Sequence, residues 1–247
     1  MEKSYHASWT PEAQKICDRA IERHGGWRAW SGFTSVQLKP LFLNGMVPRL
    51  KGYPGAFHLP RFFEIFPHER RTVFHGFPQA GRDAVYRDGN LEIPLPNGQN
   101  FVLQKARERY KGLHKLAKWQ DRDALYFFGY ALSGYLSLPF ILPSFSLVKS
   151  STYKTKTETW DVLTVDFPER VDTHCRRQSF YFDESGLLRR NDYSADIISR
   201  MAMGAHYSFE YVSVKGIEVA LQRRVFVRFG QTALPVNALS ADLEVLD

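Results

Sequence analysis

From Ala124 to Val148 the chain reads ALYFFGYALSGYLSLPFILPSFSLV, an apolar run without one charged residue. A run of this kind raises the question of a membrane span, which needs roughly 20 apolar residues. Its own punctuation argues against one. Pro139 and Pro143 each remove a backbone donor, and Gly129 and Gly134 weaken a helix. In hydrocarbon no water would repair the broken hydrogen bonds. The segment is expected to form a short apolar helix over Asp121–Ser137, then an extended, proline-punctuated stretch. Together they would pack in a core or roof a cavity.

The rest of the chain suggests what surrounds that helix. With 247 residues it can bury a sizeable core, and 19 Phe and 12 Tyr favour strands around a roomy apolar interior. No linker divides it, so 1–247 reads as one domain. Within it lie an N-terminal helical segment (1–30), a basic and apolar helical lid (105–148) and C-terminal antiparallel strands (151–247). Cys17 and Cys175 are too few for a disulfide framework, which suits a reduced compartment. The opening MEKSYHASWTPEA lacks the apolar core of a secretory signal, so a cytoplasmic location, or one peripheral to a membrane, is expected.

A net charge of +7 and a pI near 9.4 bring anionic partners into view. The densest basic patch is KARERYKGLHKLAK, Lys105–Lys118, whose ordinary reading is a solvated helical face. Its alternative is docking on an anionic membrane surface through Lys105, Lys115 and Lys118. No helix-turn-helix, zinc or single-strand-binding signature accompanies it, which argues against nucleic acid.

Thr10, Pro11 and Glu12 form an N-terminal helix signal, and Gly25-Gly26 stop that helix after His24. Strand patterns follow at Phe33–Leu43, Arg61–Phe66, Arg71–Phe77, Ala84–Arg87 and Leu91–Ile93, the last two joined by an Asp88-Gly89 hairpin turn. Further strands are expected at Thr157–Phe167, Arg170–Phe182, Leu187–Asp196, His206–Ser213, Ile217–Phe229 and Leu239–Leu246. The fold class is therefore β-rich α+β. It would be a curved antiparallel sheet or half-barrel, with the N-terminal helix and the central apolar helix packed on it.

HGGWRAW (24–30), YFFGYALSGYLSLPFIL (126–142), FYFDESGLLRRNDYSADII (180–198) and AHYS (205–208) resemble a group of uncharacterised bacterial proteins. These are similar in layout to the lipoprotein-localisation carriers of LolA/LolB type. The resemblance implies an incomplete barrel with helices across its concave apolar face, and a cavity for a hydrophobic ligand rather than a reaction.

The richest polar cluster lies on the hairpin Arg170–Asp196. A three-residue loop with Gly186 left-handed pairs Asp183 with Leu187. His174 then faces Asp196, Arg176 faces Ser194, Gln178 faces Asp192 and Phe180 faces Arg190. This register gathers His174, Arg176, Gln178, Asp192, Ser194 and Asp196 on one face, where an imidazole beside a carboxylate is the raw material of acid–base chemistry. A slip of one residue gives an ordinary ion-paired surface instead. With His206 from the next strand, the catalytic candidates are His174, Asp192, Asp196 and His206. Ligand contacts are expected from Tyr130, Tyr135, Trp160, Arg176, Gln178, Tyr181, Tyr193, Tyr211 and Arg224. The pairs Arg189-Arg190 and Arg223-Arg224 each send one arginine inward, where it could hold an acidic group.

No metal-ligand spacing, no GxSxG elbow and no glycine-rich phosphate loop is present, so neither a metal nor a cofactor is expected. The function favoured is binding a hydrophobic or amphipathic small molecule, such as a lipid, terpenoid or polyketide. The competing one is a cofactor-independent cyclase, isomerase or dehydratase using the His/Asp pair in the same cavity.

Overall fold

The computed structural model describes residues 4–246, so the outermost ends of the spans 1–30 and 1–247 lie outside the described residues. Helix α1 (Pro11–Arg23) begins as its sequence dictates: the Thr10 hydroxyl accepts from the Ala13 N–H, Pro11 fills the first turn, and His24 caps the end. Gly25 at φ 118° then turns the chain into α2 (Gly26–Gly32). Strand β1 (Val36–Asn44) leads into the short helix α3 (Met46–Leu50). A meander follows: β2 (Phe62–Phe66), β3 (Arg71–His75), β4 (Asp83–Arg87), β5 (Asn90–Pro94) and β6 (Asn100–Leu103). The β4–β5 turn has φ of 43° at Asp88 and 85° at Gly89, as a two-residue hairpin loop requires.

Helix α4 spans Asp121–Ser137, the limits expected from the sequence. Asp123 accepts from the Gln120 N–H at 2.8 Å, closing a capping box at its start. Beyond it come β7 (Ser146–Lys154), β8 (Thr159–Asp166), β9 (Arg177–Phe182), β10 (Leu188–Ser194), β11 (Met203–Val214), β12 (Ile217–Phe229) and β13 (Thr232–Val245).

Among the described residues these strands make one antiparallel sheet in the order β6-β5-β4-β3-β2-β1-β13-β12-β11-β10-β9-β8-β7. Its curvature follows from what α4 touches. The helix packs on β2, β3, β4 and β5, and its Tyr135 also reaches Tyr193 on β10 and His206 on β11. β4 and β10 stand seven places apart in the order. A flat sheet would separate them by roughly 34 Å, at about 4.8 Å per strand, whereas a helix is about 10–12 Å across. The sheet therefore wraps the helix. Bulges at Pro40/Phe42, Leu188/Arg190 and Val225/Phe226 supply local bends. β6 and β7 remain the two edges, so the half-barrel does not close.

Several elements differ from expectation. Lys105–Lys118 forms no α-helix: it carries two single 3₁₀ turns, Ala106–Arg109 and Gly112–Lys115. Ala106, Tyr110, Leu113 and Ala117 keep a helical spacing, but Gly112 takes a left-handed φ of 55° in their midst, which breaks a helix there. β9 begins at Arg177, so Arg170–Arg176 is loop. β7 starts inside the apolar run, and β6 and α3 carried no sequence signal strong enough to read. Among the described residues no helix is long and apolar enough to cross a membrane.

Gly129 shows how closely the sheet holds α4. A Cβ there would lie 2.5 Å from both Cβ and Cγ of Tyr86 on β4, and its carbonyl accepts from the Thr72 hydroxyl at 3.0 Å. Gly129→Ala gains about 1 kcal/mol of helix propensity but overpacks an immobile contact, costing typically about 1–3 kcal/mol. Urea unfolding should show net destabilisation; a stabilised variant would contradict the packing described.

Candidate functional site

The Asp183–Leu187 turn forms as the sequence implies. The Asp183 N–H donates to the Leu187 carbonyl at 3.0 Å, and Gly186 has φ of 91°. The bulge between Leu188 and Arg190 then moves the ladder by one residue. Asn191 faces Phe180 and Asp192 faces Ser179, in place of the expected Arg190–Phe180 and Asp192–Gln178 pairs. A one-residue slip exchanges the faces of a strand. Asn191 and Tyr193 consequently turn toward α4, and Asp192 turns away from it. There the Arg190 guanidinium grips Asp192 at 2.6 and 2.9 Å and lies over the rings of Tyr153, Tyr181 and Tyr207. The Tyr181 hydroxyl donates to the same carboxylate at 2.8 Å. Asp192 and Tyr181 thus belong to a buried ion-pair cluster on the far face, not to the concave site.

His174 does sit inside the curve, on the loop before β9. Its Nδ1 lies 3.2 Å from the Tyr130 hydroxyl and its Nε2 2.5 Å from that of Tyr135, with the ring stacked on Tyr193 at 3.9 Å. Burial, reinforced by the Arg107 charge, pulls its pKa down to about 3. A neutral imidazole has one donor and one acceptor, and both are occupied. Asp196 meets His174 only through the backbone, its N–H donating to the His174 carbonyl at 3.1 Å. The expected His174–Asp196 acid–base pair does not form; His174 instead bolts α4 to the sheet.

His206 is different. It is 2% exposed, yet neither ring nitrogen has a hydrogen-bond partner among the described residues. Its ring stands edge-on to Tyr135 at 4.6 Å, and burial holds its pKa well below the usual histidine value. Across the same tyrosine lies Arg223 of β12, its guanidinium carbon 4.5 Å from the Tyr135 ring centre.

Tyr135, Tyr193, His206 and Arg223 stand at one end of an apolar chamber of about 190 Å³. Phe127, Phe128 and Leu132 wall it from α4, Phe63 from β2, and Val225 and Leu243 from β12 and β13. At the other end Phe42 (44% exposed), Met46 (41%) and Met201 (85%) form its rim. Behind α4 lies a second, more polar space of about 510 Å³, bounded by Trp30, Phe140, Asp172 and the His174 loop. Most of its groups are engaged: Trp30 stacks on Phe140 at 4.4 Å, and Gln178 donates to Thr173 and the Cys175 carbonyl. The Ser133 hydroxyl and the Asn191 side-chain oxygen there have no partner.

Of the residues expected to contact ligand, Tyr135 and Tyr193 line the apolar chamber. Tyr130, Tyr135 and Gln178 line the polar space. Tyr211 lies behind the chamber floor, its hydroxyl donating to the Leu188 carbonyl at 2.5 Å. Trp160, Arg176 and Arg224 line neither space. Trp160 bonds Glu158 at 3.0 Å, the Arg176 side chain is 70% exposed, and Arg224 pairs with Asp242 at 2.5 Å. Each follows from alternation or from loop placement. The inward member of its pair is Arg223, on the same face as Val225 and Val227; those two valines were the signal in the sequence. No cluster of three or more His, Cys, Asp or Glu suited to a metal exists among the described residues.

No protein-family model and no curated protein matches the chain. Among solved structures it is similar to a LolA superfamily protein from Nitrosomonas europaea. That match has 12% identity and a TM-score of 0.45, covering 94% of this chain and 91% of the other. It is also similar to a DUF1329 family protein from Desulfovibrio piger, at 12% identity and a TM-score of 0.43, covering 95% and 92%.

Acid should weaken the fold through its buried histidines. His174 is neutral, with a pKa near 3 set by burial, and burial brings His24 to about 4, against about 6.5 in an unfolded chain. Between those values the unfolded chain binds the extra protons. Stability is therefore complete above about pH 6.5 and falls as pH drops toward the folded-state pKa. Replacing His174 with Phe should flatten that slope by about 1.4 kcal/mol per pH unit, read from urea unfolding between about pH 4 and 6. An unchanged slope would mean that His174 is not held neutral.

Proposed function

We propose that the protein binds a hydrophobic or amphipathic small molecule, of lipid or terpenoid kind, in the apolar chamber beside α4. The observation that carries this is the chamber's lining: aromatic and aliphatic side chains from α4, β2, β12 and β13, opening at an apolar rim. Ligand sites commonly join such walls to a few convergent polar groups. At about 190 Å³ the chamber is smaller than the roughly 300–1,000 Å³ of a complete small-molecule site. It therefore suits a slender chain that continues past the rim. The cyclase, isomerase or dehydratase reading loses its support, since the imidazole–carboxylate pair it needed is not assembled.

The surroundings of the rim favour loading or delivery at an anionic bilayer. The 3₁₀ turn Gly112–Lys115 rests on the end of α3, where Lys51 donates to the Ala117 carbonyl at 3.2 Å and the Lys118 side chain lies against Gly52. Leu113, Leu116 and Leu50 are exposed here beside Lys115 and Lys118, an amphipathic border suited to headgroups. Lys105 is set apart from it, its N–H bonded to Asn90 at the β4–β5 hairpin.

Titration with the neutral fluorophore N-phenyl-1-naphthylamine tests the chamber. Saturable binding is expected, weakened about tenfold or more by Ala241→Trp, because Ala241 lines the wall and an indole there fills the space. Binding that survives this change intact would place the site elsewhere. For the surface, Lys115→Glu with Lys118→Glu should abolish salt-sensitive sedimentation with vesicles containing phosphatidylserine. Sedimentation unaffected by the two charge reversals would rule this surface out.

A further inference from the structure

The chamber is apolar except at its floor, and what stands there is unusual for this protein. Three arginines on β10 and β12 have carboxylate partners: Arg189 with Asp183, Arg190 with Asp192, Arg224 with Asp242. Arg223 forms no ion pair among the described residues, and its Nε has no hydrogen-bond partner. The groups that act on its charge are Tyr135, Tyr211 and Tyr193, and burial lowers its pKa. An arginine nonetheless stays protonated in a protein. A half-buried guanidinium with no carboxylate partner and a buried, unpaired Nε is a cost to the fold that packing alone does not explain.

His206 adds an independent observation. It pairs with Val225 while Ser208 pairs with Arg223, so the two side chains are diagonal neighbours on adjacent strands and share the inward face. Both rest against the ring of Tyr135. The imidazole is buried, neutral and without a partner at either nitrogen, so one N–H donor is free to point into the chamber. Arg223 is the one charged residue among the described lining residues, and no second cation accompanies it.

We infer that this floor is a carboxylate subsite, and that the ligand is an amphipathic monoanion bound head-inward on Arg223 and His206. The inference rests on the proposal that the chamber holds a ligand. The planar fork of arginine matches a carboxylate with two parallel hydrogen bonds, and the histidine N–H supplies a third donor without adding charge. A single cation suits a single negative charge better than a phosphate dianion. The apolar chain then runs between Phe127, Leu132 and Val225 and leaves past Phe42, Met46 and Met201, where the rim is exposed. The reverse orientation would bury an alkyl end against an unpaired guanidinium.

Competition against the bound neutral fluorophore, using decanoate and 1-decanol near pH 7.5, separates charge recognition from apolar burial. The wild-type protein should prefer decanoate by about tenfold or more. Arg223→Met should weaken decanoate by about 10- to 100-fold while leaving 1-decanol and the fluorophore unchanged and Tm equal or higher. His206→Leu should weaken decanoate by a smaller factor, and Arg223→Lys should keep a reduced preference and guard against a folding defect. Equal binding of decanoate and 1-decanol by the wild type would overturn the subsite while leaving the chamber's role intact. So would an Arg223→Met variant that loses Tm without changing the preference. Failure of the fluorophore, decanoate and 1-decanol alike would remove the chamber reading, and the subsite with it.

Discussion

Beyond its first turn α4 carries no charge and has no solvent-facing side, and that single constraint organises this fold. α4 buries Ala124, Leu125, Tyr126, Phe127, Tyr130, Ala131 and Leu132 in direct succession or nearly so, which covers its whole circumference. A flat sheet can cover only one stripe of such a helix. One sheet can cover it all only by curling, and the β1–β6 meander and the β7–β13 strands are the two arms of that curl. The arms meet the helix with side chains of unequal size. Where Tyr86 presses on Gly129 the contact is tight; where Phe127, Leu132 and Tyr135 face β10 to β13 the walls stand apart and the chamber opens.

Two of the buried histidines, His174 and His206, show how position decides role. His174 and His206 both lie within van der Waals or stacking reach of Tyr135 and Tyr193. His174 has both nitrogens satisfied by tyrosine hydroxyls and acts as a fastening between α4 and the loop before β9. Among the described residues His206 has no such partner at either nitrogen and Arg223 has none at Nε, although an unsatisfied buried polar group is costly. Stability alone would favour replacing them with leucine or methionine. Their presence at the closed end of an apolar space is better explained by a bound polar group than by the empty fold.

Much of the architecture was legible from the sequence because it rests on local patterns. The limits of α4, the Thr10 cap, the Asp88-Gly89 hairpin and the Gly186 turn all follow from residue types at short range. The candidate site was less legible because it depends on a non-local count. One extra residue at the Leu188/Arg190 bulge carried Asp192 to the far face, where alternation along β9 already places Tyr181, and brought Asn191 and Tyr193 inward. No propensity marks that bulge. The choice between Arg223 and Arg224, by contrast, was available: Val225 and Val227 share the face of Arg223, whereas Arg224 faces away to Asp242. The chamber's α3 wall could not be read at all, since Met46–Leu50 is too short to show a helical period.

The most direct test of the central claim is photo-crosslinking with a neutral alkyl diazirine, followed by peptide mapping of the adducts. Occupation of the apolar chamber should place them on Phe42–Val47, on Phe127–Tyr135 and on the Ile198–Met203 segment that borders the rim. Adducts confined to Trp27, Trp30 and Phe140 would assign the ligand to the polar space behind α4 instead, and would contradict the account.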